Sequence, residues 1–188
     1  MDSFLSKKAD LPCAALAPLV PDANGTAGGE PWFDLIELMF FAYRDFVGDA
    51  DQLLENFGLG RAHHRVLHFV NRRPGLTIAE LLDILKITKQ SLNRVLKELL
   101  DTDYVVSHPG ANDRRQRQLF PTARGKALAL DVARLQSKRF SRVFAQLPEG
   151  ARSDAVDFLL AIVDAGERDK VAAMVASDRT AAHAGTKR

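Results

Sequence analysis

Cysteine is almost missing from this chain: Cys13 is the single one in 188 residues. No disulfide can close within the chain, which fits a reducing compartment. Long apolar runs are missing too. The stretch from Leu11 to Val20 follows Lys7 and Lys8 as a leader would, but Pro12 and Pro18 interrupt it, and Asp2 and Asp10 flank it. Nothing approaches the roughly 18 consecutive apolar residues that a membrane span requires. The expectation is a cytoplasmic protein with no membrane partner. Catalytic signatures are also lacking. There is no Gly-x-Ser-x-Gly, phosphate-binding loop, His-Glu-x-x-His or dinucleotide glycine pattern, and the acidic residues are scattered. This argues against an enzyme and implies no cofactor; an enzyme without a recognisable motif is the weaker alternative.

Apolar residues make up 46% of the chain, enough for a core, and the formal charge is only +2. That total conceals an uneven distribution. Between Lys86 and Lys126 nine basic residues face four acidic ones, leaving seventeen basic and twenty acidic residues elsewhere. A near-neutral chain with one basic segment has the makings of a local anion-binding surface. A solvated helix face is the plainer reading of the same charges.

Residues 1–30, with their prolines, glycines and alanines, read as a tail or linker. Pro31 then suits a helix start. A helix is expected from about Trp32 to Phe57, with Trp32, Leu35, Ile36, Met39, Phe40, Tyr43, Phe46 and Val47 at helical spacing. Phe33, Leu38 and Phe41 fall on its other faces. A helix apolar nearly all round must be buried nearly all round, which calls for a second subunit. A second helix is predicted over Arg61–Arg72, with Val66, Leu67, Phe69 and Val70 inward, and Pro74-Gly75 stops it. Thr77 with Glu80 forms a capping box for Ile78–Leu85. Thr88 caps a helix from Lys89 to about Leu100. Two short helices joined around Lys86 have the spacing of a helix-turn-helix. Tyr104–His108 and Gln116–Phe120, separated by turn residues, predict a hairpin behind it, a wing. Thr122 caps a long helix to about Leu147, and an amphipathic helix from about Arg152 to Ala176 precedes a tail at 177–188.

The informative helix is Thr88–Leu99. Leu92, Val95, Leu96 and Leu99 form one aliphatic face; Gln90, Asn93, Arg94 and Lys97 repeat the spacing on the other. That second face carries no carboxylate until Glu98 and Asp101 at its far end, whereas exposed helices usually interleave Glu with Lys. Gln and Asn can bond adenine edges, Arg can bond guanine, and Thr88, Lys89 and Ser91 suit phosphates at a helix N-terminus. On the wing, Asp113-Arg114-Arg115-Gln116-Arg117 sets three arginines at a hairpin tip and return strand, where an arginine can enter a narrow minor groove. The partner these residues imply is double-stranded DNA. A winged-helix protein–protein module is the alternative, but it has no need of a face free of carboxylates.

The segment from Gly60 to about Leu128 resembles the MarR family of transcriptional regulators. The resemblance is carried by Leu76–Leu82, the helix Thr88–Leu100, Asp113-Arg114-Arg115, and the exit Pro121-Thr122-Ala123-Arg124-Gly125-Lys126-Ala127-Leu128. It implies a mainly α fold with a small β-wing, in which a winged helix-turn-helix at about 60–125 sits between N- and C-terminal dimerisation helices, about 31–57 and 122–176. It further implies a homodimer on a pseudo-palindromic operator and release by a small aromatic ligand. Phe40, Tyr43, His63 and Phe69 lie on the helices bordering that family's pocket. This chain departs from the pattern at Lys86 and Asp103, where glycine is usual, and at Asn93, where threonine is common. Peroxide sensing through a cysteine in the first helix is not expected, because Cys13 lies in the tail. His64 and His68 stand at i, i+4 with His63 beside them. Without a third ligand they are better read as structural or pocket-lining than as a metal site.

Overall fold

A computed structural model describes residues 31–110, 113 and 116–184, with side chains through residue 176. The expected tail at 1–30, Cys13 within it, and the wing-tip residues Arg114 and Arg115 lie outside the described residues. Of the described residues, those up to Asp45 form one unit and those from Phe46 onward another.

The elements run α1 (Phe33–Glu55), α2 (Arg61–Arg72), β1 (Leu76–Thr77), α3 (Ile78–Leu85), α4 (Lys89–Asp101), β2 (Val105–Pro109), β3 (Arg117–Pro121), α5 (Ala123–Phe144), α6 (Ala151–Ile162) and α7 (Arg168–Ala184). The expected mainly helical fold with a hairpin wing is present. The helix starts follow the capping chemistry. Thr77 Oγ1 accepts from Glu80 N at 3.2 Å while Thr77 N donates to the Glu80 carboxylate at 2.7 Å, a reciprocal box that leaves neither donor unsatisfied. That hydrogen bond from the Thr77 backbone, and a second from its hydroxyl, hold the Glu80 carboxyl below its ordinary value.

The wing is antiparallel, with Val105 opposite Pro121 and Pro109 opposite Arg117. It carries a third strand that periodicity could not reveal. Leu76 and Thr77 pair with Leu119 and Gln118, giving the order β1-β3-β2. Two residues are too few to show alternation, yet they tie the wing to the start of α3. In the larger unit, Leu54, Val66, Leu67, Val70, Leu81, Leu92, Leu99, Leu119 and Val132 pack into one core. Each helix of the helix-turn-helix contributes its apolar stripe.

The C-terminal region departs from expectation. One amphipathic helix was expected from about Arg152 to Ala176; the chain forms two. Val163 takes an extended conformation, and Arg168 donates to the carbonyls of Leu160, Ala161 and Val163. The guanidinium thus satisfies carbonyls that a continuous helix would have bonded internally. α7 then continues past Ala176 to Ala184. Among the described residues, no helix is long and apolar enough to cross a membrane.

Candidate nucleic-acid interface

α4 presents the surface that its sequence pattern describes. Leu92, Val95, Leu96 and Leu99 are buried, and Thr88, Lys89, Gln90, Ser91, Asn93, Arg94 and Lys97 are exposed. These residues are not equivalent. Thr88 Oγ1 accepts from Ser91 N at 3.2 Å and donates to Ser91 Oγ at 2.9 Å, so both hydroxyls serve the helix cap. Lys97 Nζ lies 2.5 Å from Asp101 Oδ2, a pairing that raises the lysine pKa through that hydrogen bond. Among the described residues, Lys89, Gln90, Asn93 and Arg94 make no side-chain hydrogen bond or ion pair. They form an unengaged polar face on the first turns of α4, where the helix dipole adds partial positive charge. At the far end Glu98 Oε2 meets His63 Nε2 at 2.7 Å.

The wing places Arg117 across its partner strand: Nε donates to Ser107 Oγ at 3.0 Å and Nη2 to the Ser107 carbonyl at 2.8 Å. Arg117 stiffens the hairpin stem. The loop closes through Gly110 N on the Gln116 carbonyl at 2.7 Å and Gln116 N on the Asp113 carbonyl at 3.0 Å. Asp113 is exposed at this tip.

A joint between residues that the sequence singled out only separately holds wing and α5 together. Thr122 Oγ1 accepts from Gly125 N at 3.0 Å and donates to the Asp103 carbonyl at 2.7 Å. Arg124 donates to the Thr102 carbonyl at 2.9 Å, and its guanidinium lies 4.2 Å from the Tyr104 ring centroid. Gly125 is required: a Cβ there would stand 1.9 Å from the Tyr104 carbonyl oxygen. Lys86 and Asp103, the two positions where glycine is usual in the resembled family, both hold left-handed backbone, at φ 50° and 57°.

The four candidate ligand-pocket residues differ in setting. Phe40 and Tyr43 are exposed on α1. His63 has both ring nitrogens engaged, since Nδ1 accepts from Gly60 N at 3.0 Å while Nε2 meets Glu98. Phe69 is half-buried, edge-on to His68 with centroids 5.2 Å apart. It lines a cleft of about 450 Å³ between α2, α3 and α7, which His63 does not line. His64 and His68 meet edge to face at 6.3 Å.

The family model described as MarR family matches residues 57–116. The chain is 43% identical over 129 residues to the HTH-type transcriptional regulator PetP of Rhodobacter capsulatus, covering 64% of this chain and 78% of that protein. It is 32% identical over 99 residues to the HTH-type transcriptional repressor Rv2887 of Mycobacterium tuberculosis, covering 53% and 71%. Among solved structures, a MarR transcriptional regulator from Methanosarcina mazei Go1 aligns with a TM-score of 0.59 at 24% identity, over 72% of this chain and 97% of that one. Streptococcus pneumoniae FabT in complex with DNA aligns at 0.64 and 13%, over 70% and 94%. At such identities the structural likeness is one of fold.

Proposed function

The chain belongs to the MarR family, and on that premise we propose that it is a sequence-specific DNA-binding transcriptional regulator. It acts in the cytoplasm as a homodimer on a pseudo-palindromic operator and releases DNA on binding a small aromatic ligand. The observation that carries the reading is the unengaged face of Lys89, Gln90, Asn93 and Arg94 at the start of α4. An N-terminal helix face of this composition suits the major groove. FabT, a protein of the same fold, has been crystallised with DNA, which supports DNA as the partner. Thr88 and Ser91 cap the helix and offer their backbone end to phosphate. Lys97 reaches the duplex after exchanging Asp101 for a phosphate. Arg114 and Arg115, with Asp113 beside them, meet backbone or minor groove at the wing tip, and Arg117 holds the stem.

Two copies are proposed because apolar surface is left uncovered on α1, where Phe33 is 61% and Phe40 68% exposed, and on α6, where Phe158 is 49% and Ile162 56% exposed. Phe40, Tyr43, His63 and Phe69 are the proposed contacts for an aromatic acid.

The test is a set of binding isotherms at several salt concentrations, on a duplex selected by the protein from a random pool and on a random duplex. Arg94→Ala should cost about 1–3 kcal/mol on the selected duplex and relax preference at one base pair of each half-site. Arg114→Ala should weaken both duplexes alike and lower the log–log salt slope by roughly one per lost phosphate contact. If neither variant moves affinity, slope or preference, this surface does not read DNA.

A further inference from the structure

The end of α3 and the start of α7 are joined by four charges that close into a ring. Asp83 and Lys86 are one turn apart at the end of α3, and Glu167 and Lys170 are one turn apart where α7 begins. Lys86 Nζ lies 2.8 Å from Asp83 Oδ1 and 3.3 Å from Glu167 Oε1. Lys170 Nζ lies 3.8 Å from Glu167 Oε2 and also donates to Asp83 Oδ2. Each charge therefore meets two of opposite sign. Hydrogen bonds from Lys170 and then Lys86 hold the Asp83 carboxyl down at about 2. One further tie joins α7 to the same region: Arg73, just beyond α2, donates through Nη2 to the Met174 carbonyl at 2.7 Å.

These polar ties reach across an open gap. Between α3 and α7 lies the 450 Å³ cleft, lined by Phe69, Ile84, Val163, Val171 and Met174. A lone exposed ion pair contributes little, since two long side chains are ordered for one contact. In a ring, each ordered side chain serves two contacts. Lys86 adds an independent sign. It is the left-handed residue of the helix-turn-helix turn, at φ 50°, a conformation glycine takes without steric cost. A lysine there strains the backbone, and what it supplies in return is one of the two ammonium groups of the ring.

We infer that Glu167 and Lys170 are positioning residues for DNA recognition. Through the ring they hold the turn that sets α4 against α3, and so fix the attitude of the reading face. The inference rests on the regulator reading above. Neither residue touches DNA in this scheme; they act through Asp83 and Lys86.

The experiment uses the full chain and the two duplexes above. Its primary readout is the ratio of selected to random affinity, which cancels the general effect of altered net charge. Glu167→Gln and Lys170→Met should each lower that ratio about 3- to 10-fold with little change in melting temperature. Lys86→Gly should lower it while the melting temperature holds or rises, because the backbone strain is relieved; a merely structural lysine would give the opposite pairing. Reversing all four charges together, Asp83→Lys, Lys86→Glu, Glu167→Lys and Lys170→Glu, restores alternation and should recover most of the ratio. Hydrogen exchange of the DNA-free protein is read in parallel, with faster exchange expected across residues 83–91 in Glu167→Gln. Unchanged exchange there overturns the inference, as does an unchanged ratio in all three single variants. If the wild type selects no sequence, the regulator reading fails. Faster exchange would then leave the ring as a brace on the turn and remove its role in DNA recognition.

Discussion

His63 joins the start of α2 to the far end of α4: its Nδ1 accepts the Gly60 N–H at 3.0 Å and its Nε2 lies 2.7 Å from Glu98 Oε2. The first bond assigns the tautomer, leaving the ring proton on Nε2 to be donated to the carboxylate. His63→Ala should therefore remove a helix-end bond and a tie between helices at once, costing about 1–2 kcal/mol in denaturant unfolding. Glu98→Gln keeps an acceptor for Nε2–H and should cost less than half as much. Equal losses would mean that the tie depends on the charge of the Glu98 carboxylate, and no loss in Glu98→Gln that the histidine acts through packing and its bond to Gly60 alone.

Gly125→Ala is expected to be among the most damaging single substitutions in the chain. Its Cβ would meet the Tyr104 carbonyl at 1.9 Å, and that carbonyl also accepts Thr122 N at 3.1 Å. The backbone of the joint would have to part, at a cost of about 3 kcal/mol or more. Soluble yield and thermal melting report this directly, and near-wild-type melting would show that the joint can open cheaply.

Burial pushes the His64 imidazole below its ordinary value of 6.5, with the Asp51 carboxylate pulling weakly the other way. The unfolded chain takes up that proton as pH falls through 6.5, while the folded chain takes it up only at lower pH. The stability tied to the neutral ring is thus fully present above 6.5 and is lost as pH falls towards the folded-state value. His64→Gln should flatten the fall in melting temperature between about pH 7 and about pH 5. An unaltered profile would remove His64 from the acid response.

Wild-type protein at micromolar concentration should sediment at twice the 20.7 kDa of one chain. Phe40→Asp and Phe158→Asp each place a charge on an uncovered apolar helix surface. Each should shift the equilibrium towards monomer, since burying one such ring contributes about 1.5–3 kcal/mol. A monomeric wild type would remove the symmetric operator as well.

Much of this architecture was legible because it is local. The Thr77–Glu80 box, the Thr88 and Thr122 caps and the aliphatic stripe of α4 are written at spacings of three and four residues. So was the composition of the polar face of α4. What sequence could not show is which of those polar groups are already engaged. Lys97 resembles Arg94 in a helical projection, yet it is paired with Asp101, and the Thr88 and Ser91 hydroxyls face each other. The missed features join residues far apart along the chain, as Asp83 and Lys170 are, or depend on backbone approach, as at Gly125. The break between α6 and α7 was hidden for a related reason. The apolar pattern runs through it, and the stop is made by the Arg168 guanidinium on carbonyls behind it.

β1 is only two residues long, but it stitches the wing's central strand to the residues that begin α3, while the Thr122–Gly125 joint fastens the wing's other end to the long helix. The stem of the hairpin is therefore tied to the start of α3 along β3 and to α5 at its base. On the proposed regulator reading, a duplex would meet a calliper whose two arms are tied to each other. Where its groove widths did not match, bending the DNA would be one way to fit, and stiffness of the sequence between the contacted bases would then become part of what is recognised.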